Sequence, residues 1–164
     1  MKTESAILAN VMDKTRALTN MYFSLLKDAD LYKEFEVDGK KLNTAFWLMA
    51  HLPVTQNFLL LRSTGGDFVK IPWARQFGLG SAPSAIEDCP PLHEVKDVFK
   101  QVHEKSIAHI AQLDDAILDQ DGSTGFEFAG EKTIRSLVIH AIRHEGTHAG
   151  HLGWLCKLHG IKTI

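Results

Sequence analysis

The sequence predicts an all-α protein: one four-helix bundle domain spanning residues 1–164. Three observations carry this. Four long segments space apolar side chains three and four apart, the repeat of one helix face. Glycine and proline are concentrated in the connections between those segments, above all over residues 63–90 and 119–132. At 164 residues and 45 % hydrophobic content, the chain suits a single core that needs no disulfide staple.

The first helix is expected over residues 4–29. Leu8, Val11, Thr15, Leu18, Tyr22, Leu25 and Ala29 form its stripe, widened by Ile7, Met12 and Leu26. Asp28 to Lys41 is a polar connection closed by the turn dipeptide Asp38-Gly39. A second helix begins at Asn43 or Thr44, either of which can cap it, and runs to about Arg62. Leu48, His51, Thr55, Phe58 and Arg62 share one line there, with Leu52 and Leu59 beside it. Pro53 removes one backbone donor, so a kink or a break is expected next to His51.

Residues 63–90 form a long irregular stretch punctuated by Gly65-Gly66, Pro72, Gly78, Gly80 and Pro83. Loops of that length inside one domain are usually functional or disordered, and Trp73 with Phe77 suggests packing. The third helix is expected over 92–118, on Leu92, Val95, Phe99, Val102, Ser106, His109 and Leu113. Residues 119–132 are a Gly-rich connection in which Phe126-Glu127-Phe128 pairs as a short strand at most. The fourth helix runs from about Thr133 to His159, with Ile134, Val138, Ala141, Glu145, His148, Leu152 and Leu155 along its central stripe. The long connection can cross the roughly 30 Å height of a 20-residue helix. That leaves helices two and three parallel and the other neighbours antiparallel.

Composition excludes several function classes. Eighteen Lys+Arg against twenty Asp+Glu leave a formal charge of −2, so no basic field faces a nucleic acid. Two cysteines, Cys89 and Cys156, are too few for a secreted disulfide scaffold and read as structural or incidental. No signal-peptide pattern opens the chain and no apolar run nears the roughly 20 residues of a membrane span. A cytoplasmic location, with no membrane or nucleic-acid partner, is expected.

Nine histidines are present, five of them in the last 25 residues. His140, His144, His148 and His151 fall within about 80° of one another on helix four. His144 and His148, one turn apart, can ligate one metal ion, and neutral imidazole suits Zn, Ni, Cu or Fe. His51 on the apolar line of helix two is the best third ligand. If helices two and four are antiparallel, residue rise places it at a similar depth, about 12 Å from one end against about 16 and 22 Å for His144 and His148 from the other. His93, His103 and His159 read as surface residues, and His109 as core, ligand or supporting group.

Three metal readings compete. His144-Glu145-Gly146-Thr147-His148 matches the H-E-x-x-H metalloprotease pattern with Glu145 as general base. Its extended form needs Gly and His where His151 and Trp154 stand, and no acidic residue follows Glu145 to serve as a third ligand. Glu145-x-x-His148 is half of a di-iron carboxylate site, but no second Glu-x-x-His exists. A hemerythrin-like His109…Asp114 element likewise lacks its H-x-x-x-E partner. A mononuclear three-histidine site with an open position remains.

Trp47-Leu48-Met49-Ala50-His51-Leu52, His144-Glu145-Gly146-Thr147-His148-Ala149-Gly150 and the loop Trp73 with Phe77-Gly78-Leu79-Gly80-Ser81 carry a resemblance. In this order the chain resembles the DinB/YfiT-like superfamily of four-helix metalloproteins over most of its length. The resemblance implies an up-down-down-up bundle, one divalent ion (Zn or Ni) on His51, His144 and His148, and a homodimer. It implies a small-molecule substrate and, in the characterised relatives, S-transfer or isomerisation with bacillithiol, mycothiol or glutathione; YfiT itself is read as a hydrolase. His151 stands where the family usually has Gln, so it is a fourth ligand, a partner behind the ligands or a replaced substrate contact.

Glu145 is a candidate catalytic base or orienting group, and Trp73 a candidate cofactor contact. The expected function is thus a metal-dependent enzyme, first a thiol-dependent S-transferase, with metal-dependent hydrolysis and a non-catalytic metal-binding stress-response bundle as alternatives. Gly146, Gly150 and Gly153 cost roughly 1 kcal/mol each in a helix. They point to close backbone approach or to room for metal and substrate.

Overall fold

The computed structural model describes residues 2–163, and it is an all-α bundle. Four helices carry it: α1 (Glu4–Leu25), α2 (Ala45–Gln56), α3 (Leu92–Ala111) and α4 (Ile134–Leu158). Hydroxyls cap three of them. Thr3 accepts from Ala6 N, Thr44 from Trp47 N and Thr133 from Ser136 N, each satisfying one orphan donor of a first turn. α3 follows Pro90-Pro91. No helix among the described residues is long and apolar enough to cross a membrane.

Contacts fix the relative directions. Glu4 pairs with Arg135, Arg16 with Glu145, and the Cys156 thiol lies 3.9 Å from the Tyr22 carbonyl, so α1 and α4 run the same way. Ser5 reaches the Leu113 carbonyl and Arg16 the Phe99 carbonyl, so α3 runs opposite to α1. Gln56 meets His103 and Thr64 meets His109, making α2 parallel to α3. The long connection between α2 and α3 spans the bundle.

Several boundaries differ from the sequence expectation. α1 stops at Leu25, four residues early, because Lys27 and Ala29 turn back onto Ser24 and Leu26. α3 stops at Ala111. Asp114 then caps a short 3₁₀ turn, Asp115–Ile117, through its own carboxylate, a local bond that competes with helix continuation. The polar connection holds a small antiparallel hairpin, β1 (Glu36–Val37) and β2 (Lys40–Lys41). Asp38 and Gly39 both take positive φ, 49° and 74°, the two-residue turn such a hairpin favours. Phe126-Glu127-Phe128 forms no strand. Phe128 makes one isolated bridge, to Glu131. The chain neither breaks nor stops at Pro53. It widens instead to a π-helix over Asn57–Arg62, where Ser63 N bonds to Phe58 O.

The core divides into two apolar clusters. One gathers Leu26, Phe46, Trp47, Phe77, Phe99 and Leu152; the other gathers Met12, Leu59, Leu60, Ile110, Leu137 and Val138. The central stripe of α4 is buried as expected, as is most of that of α3. That of α1 is not: Ser5, Ala9, Met12, Arg16 and Thr19 face inward, while Ile7, Val11, Leu18 and Leu25 stand exposed. An inward arginine is tolerable only if its charge is matched, and Glu145 of α4 matches it.

Candidate metal centre

Two helices supply three imidazoles to one point. α2 projects His51, and α4 projects His144 and His148 from successive turns. Their ligand nitrogens all lie within 4.8 Å of one another. His51 Nε2 is 3.1 Å from His144 Nε2, which is 3.2 Å from His148 Nε2. Nitrogens each about 2.1 Å from one ion lie about 3.0–3.4 Å apart for angles of about 90–109°. The two spacings that His144 makes fall in that span.

The proton inventory makes the same point. His51 Nδ1 is 2.7 Å from the Phe77 carbonyl. A carbonyl only accepts, so Nδ1 carries the proton and Nε2 presents a lone pair. His144 Nε2 holds at most one proton and faces two other nitrogens. His148 Nδ1 faces His151 Nδ1 at 3.2 Å. If His148 Nδ1–H donates to His151, the His148 Nε2 lone pair also points to the centre. A bare cluster therefore sets lone pairs against each other, whereas a cation would satisfy all three. The donor set fits a divalent metal ion.

Neighbours hold these rings. Trp47 stacks on His51 at 4.3 Å between centroids and 15° between planes, and its indole N–H reaches Ser81 Oγ at 3.3 Å. Ser81 in turn donates to the Gly78 carbonyl. The loop that brings in Phe77 is clamped to the π-helix that continues α2 by Asn57, whose side-chain amide makes both bonds with Val69. His151 lies behind His148 and is exposed; it is not one of the three convergent groups. Partners of this kind fix tautomer and ring orientation. His151→Ala is expected to weaken metal binding about 10–100-fold while leaving the urea midpoint of the metal-free protein unchanged.

Burial, and then the charge each imidazolium would impose on its neighbours, pushes His144 down to about 3 and His148 down to about 4. Burial lowers His51 as well, against the opposing pull of the Phe77 carbonyl. All three are neutral at pH 7 and can ligate. Unfolded histidines titrate near 6.5. Below about pH 6.5 the unfolded chain therefore takes up protons that the folded one refuses, and stability falls with pH. The urea midpoint of metal-free protein is expected to drop between about pH 7 and pH 4, less steeply in His144→Leu.

Glu145 is drawn into a different cluster. It is 1 % exposed and forms a two-bond ion pair with Arg16. Arg16 also donates to Gln56 Oε1 at 2.8 Å and to the Phe99 carbonyl at 3.0 Å, and its guanidinium lies 3.8 Å from the Phe99 ring centre. Gln56 bonds to His103, which bonds to Asp13. His103, expected at the surface, is thus half-buried, with burial the largest cause of its lowered pKa. His159 is half-buried too, edge-on to Phe35.

Trp73 packs edge-on against Phe77 at 5.7 Å, within the first apolar cluster. Gly153 faces Tyr22, where a Cβ would come within 3.3 Å. Gly146 and Gly150 have no such close neighbour. Cys156 is buried.

A cavity of about 600 Å³ opens beside His51 and His144. Val54, Phe58, Leu59 and Phe126 form much of its wall, and Thr55 lies 3.3 Å from His51 Nε2. Sequence reasoning missed Arg16, Gln56, Trp47 and this wall. Trp47 lay within the motif that carries His51, one turn before it, and Phe126 and Phe128 alternate in the Gly-rich connection.

A family model described as the DinB superfamily matches residues 12–152. No curated protein matches the chain.

Proposed function

Since this chain belongs to the DinB superfamily, we propose that it binds one divalent metal ion, zinc or nickel, through His51, His144 and His148 and uses it for thiol-dependent S-transfer. The observation that carries this reading is the convergence of three Nε2 atoms with the His51 tautomer fixed by the Phe77 carbonyl. A bound divalent ion supplies Lewis acidity, which lowers the pKa of a thiol or a water that reaches it.

The chain's own groups do the rest. Trp47 and the Phe77 carbonyl hold His51, and His151 holds His148. Val54, Phe58 and Leu59 form an apolar wall beside His51 and His144. The Thr55 hydroxyl offers a hydrogen bond to a group arriving there. No Asp or Glu among the described residues lines the cavity, and Glu145 is engaged by Arg16. A protein carboxylate acting as base therefore has no support, and metal-assisted thiol chemistry needs none.

The test uses zinc-loaded protein and 4-nitrophenyl acetate, with and without glutathione, bacillithiol or mycothiol. Release of 4-nitrophenolate above the uncatalysed rate only with thiol is the expected result. Release without thiol would replace the reading by hydrolysis. No release in either case, with metal bound, would leave a non-catalytic metal-binding bundle.

A further inference from the structure

From the wall of the cavity beside His51 and His144, we infer that the substrate part seated there is an uncharged aromatic or branched aliphatic body. This rests on the metal reading above for where the reacting group lies. At about 600 Å³ the cavity is the size of a site for a small organic molecule. Val54, Phe58, Leu59, Leu79, Phe126 and Phe128 line it. No Asp, Glu, Lys or Arg among the described residues does. The polar groups on its surface are Thr55 and the histidines His51, His140 and His144, all at the metal side or along α4.

The aromatic wall is built and not incidental. Phe58 and Phe126 meet edge to face at 5.6 Å. Phe128 stacks on His140 at 3.8 Å, held by a tight turn in which Phe128 N bonds to Glu131 O and Glu131 N returns to Phe128 O. Ala129 and Gly130 complete that turn with φ of 54° and 82°. Two separate segments, the π-helix after α2 and the connection before α4, thus present rings to one space. Offset and edge-on contacts of this kind favour another flat ring.

Charge decides what is refused. A carboxylate or sulfonate seated among Val54, Phe58, Leu59 and Phe126, away from the metal end and from Arg143 on the far side of Phe128, would lose its hydration with no lining Lys or Arg to replace it. The anionic body of a low-molecular-weight thiol therefore lies outside this cavity. The electrophile that receives or surrenders the sulfur lies inside it.

The experiment compares two probes sharing one aromatic skeleton. N-phenyl-1-naphthylamine is neutral and 1-anilinonaphthalene-8-sulfonate is anionic, and both fluoresce in apolar surroundings. Titrated into metal-free protein, the neutral probe is expected to bind once per chain, at least about tenfold more tightly than the sulfonate. Phe128 is 40 % exposed, so Phe128→Ala should fold normally; it is expected to weaken the neutral probe about tenfold, as loss of one ring contact implies.

In zinc-loaded protein, benzohydroxamate is expected to displace the probe and acetohydroxamate to do so at least about tenfold less well. Equal binding of the two fluorophores, or no effect of Phe128→Ala, would overturn the inference. If the fluorophores behave as expected but no zinc is taken up, the metal reading falls and the apolar cavity stands.

Discussion

Replacing His51 by alanine is expected to leave the purified protein without stoichiometric metal. Untagged wild-type protein should carry about one divalent ion per chain after reconstitution, read by elemental mass spectrometry. His144→Ala and His148→Ala should lose it too, each with an affinity loss of about 100–1,000-fold, the share of one ligand in a three-ligand site. His51 is the informative position. His144 and His148 sit one turn apart on α4, and histidines at that spacing can share one ion from a single helix face. His51 comes from α2, stacked under Trp47 and bonded to the Phe77 carbonyl. Only the folded bundle brings it within 3.1 Å of His144. Metal retained at unchanged affinity in His51→Ala would show that α4 alone holds the ion and would remove His51 from the site. The metal-free far-ultraviolet spectrum of each variant separates loss of a ligand from loss of the fold.

What the sequence makes legible follows from how local each feature is. The seven positions of the α4 stripe are read from period alone, and all seven are buried. His144 and His148 are read from spacing, and His51 from its place on an apolar line. α1 defeats the same method. Its most apolar line, Ile7, Val11, Leu18 and Leu25, is exposed, and the line through Arg16 is inside. Periodicity scores an arginine as outward. It turns inward here because a carboxylate 129 residues away meets it. The cavity wall is hidden for a related reason. Phe126 and Phe128 lie in a connection with no helix period, and only the turn at Ala129-Gly130 and the stack on His140 place them beside α4. The role of Phe77 rests on its carbonyl, a group every residue has, so no side-chain pattern could announce it.

Arg16→Met is expected to destabilise the protein by about 3–5 kcal/mol, the usual cost of stripping one partner from a buried ion pair. For a chain of this length that lowers Tm by roughly 10 °C. Arg16 is 2 % exposed and Glu145 1 %, so neither charge can turn to water without opening the bundle. The loss reaches beyond the pair. Arg16 also donates to Gln56 Oε1 and the Phe99 carbonyl, joining α1 to α2, α3 and α4 in one layer between the two apolar clusters. Arg16→Met leaves the Glu145 carboxylate and the Gln56 oxygen buried without these donors. The double variant Arg16→Met/Glu145→Leu removes both charges and fills the space with apolar atoms. It should therefore recover most of the loss, since well-packed hydrophobic replacements of buried pairs are often neutral or better. Urea unfolding of the wild type, both single variants and the double variant gives the coupling between the two sites. The metal content of the double variant decides what the pair is for. Glu145 points to Arg16, so one ion per chain should remain. Loss of the ion from a folded double variant would mean that the pair, by fixing the rotation of α4, also sets where His144 and His148 point.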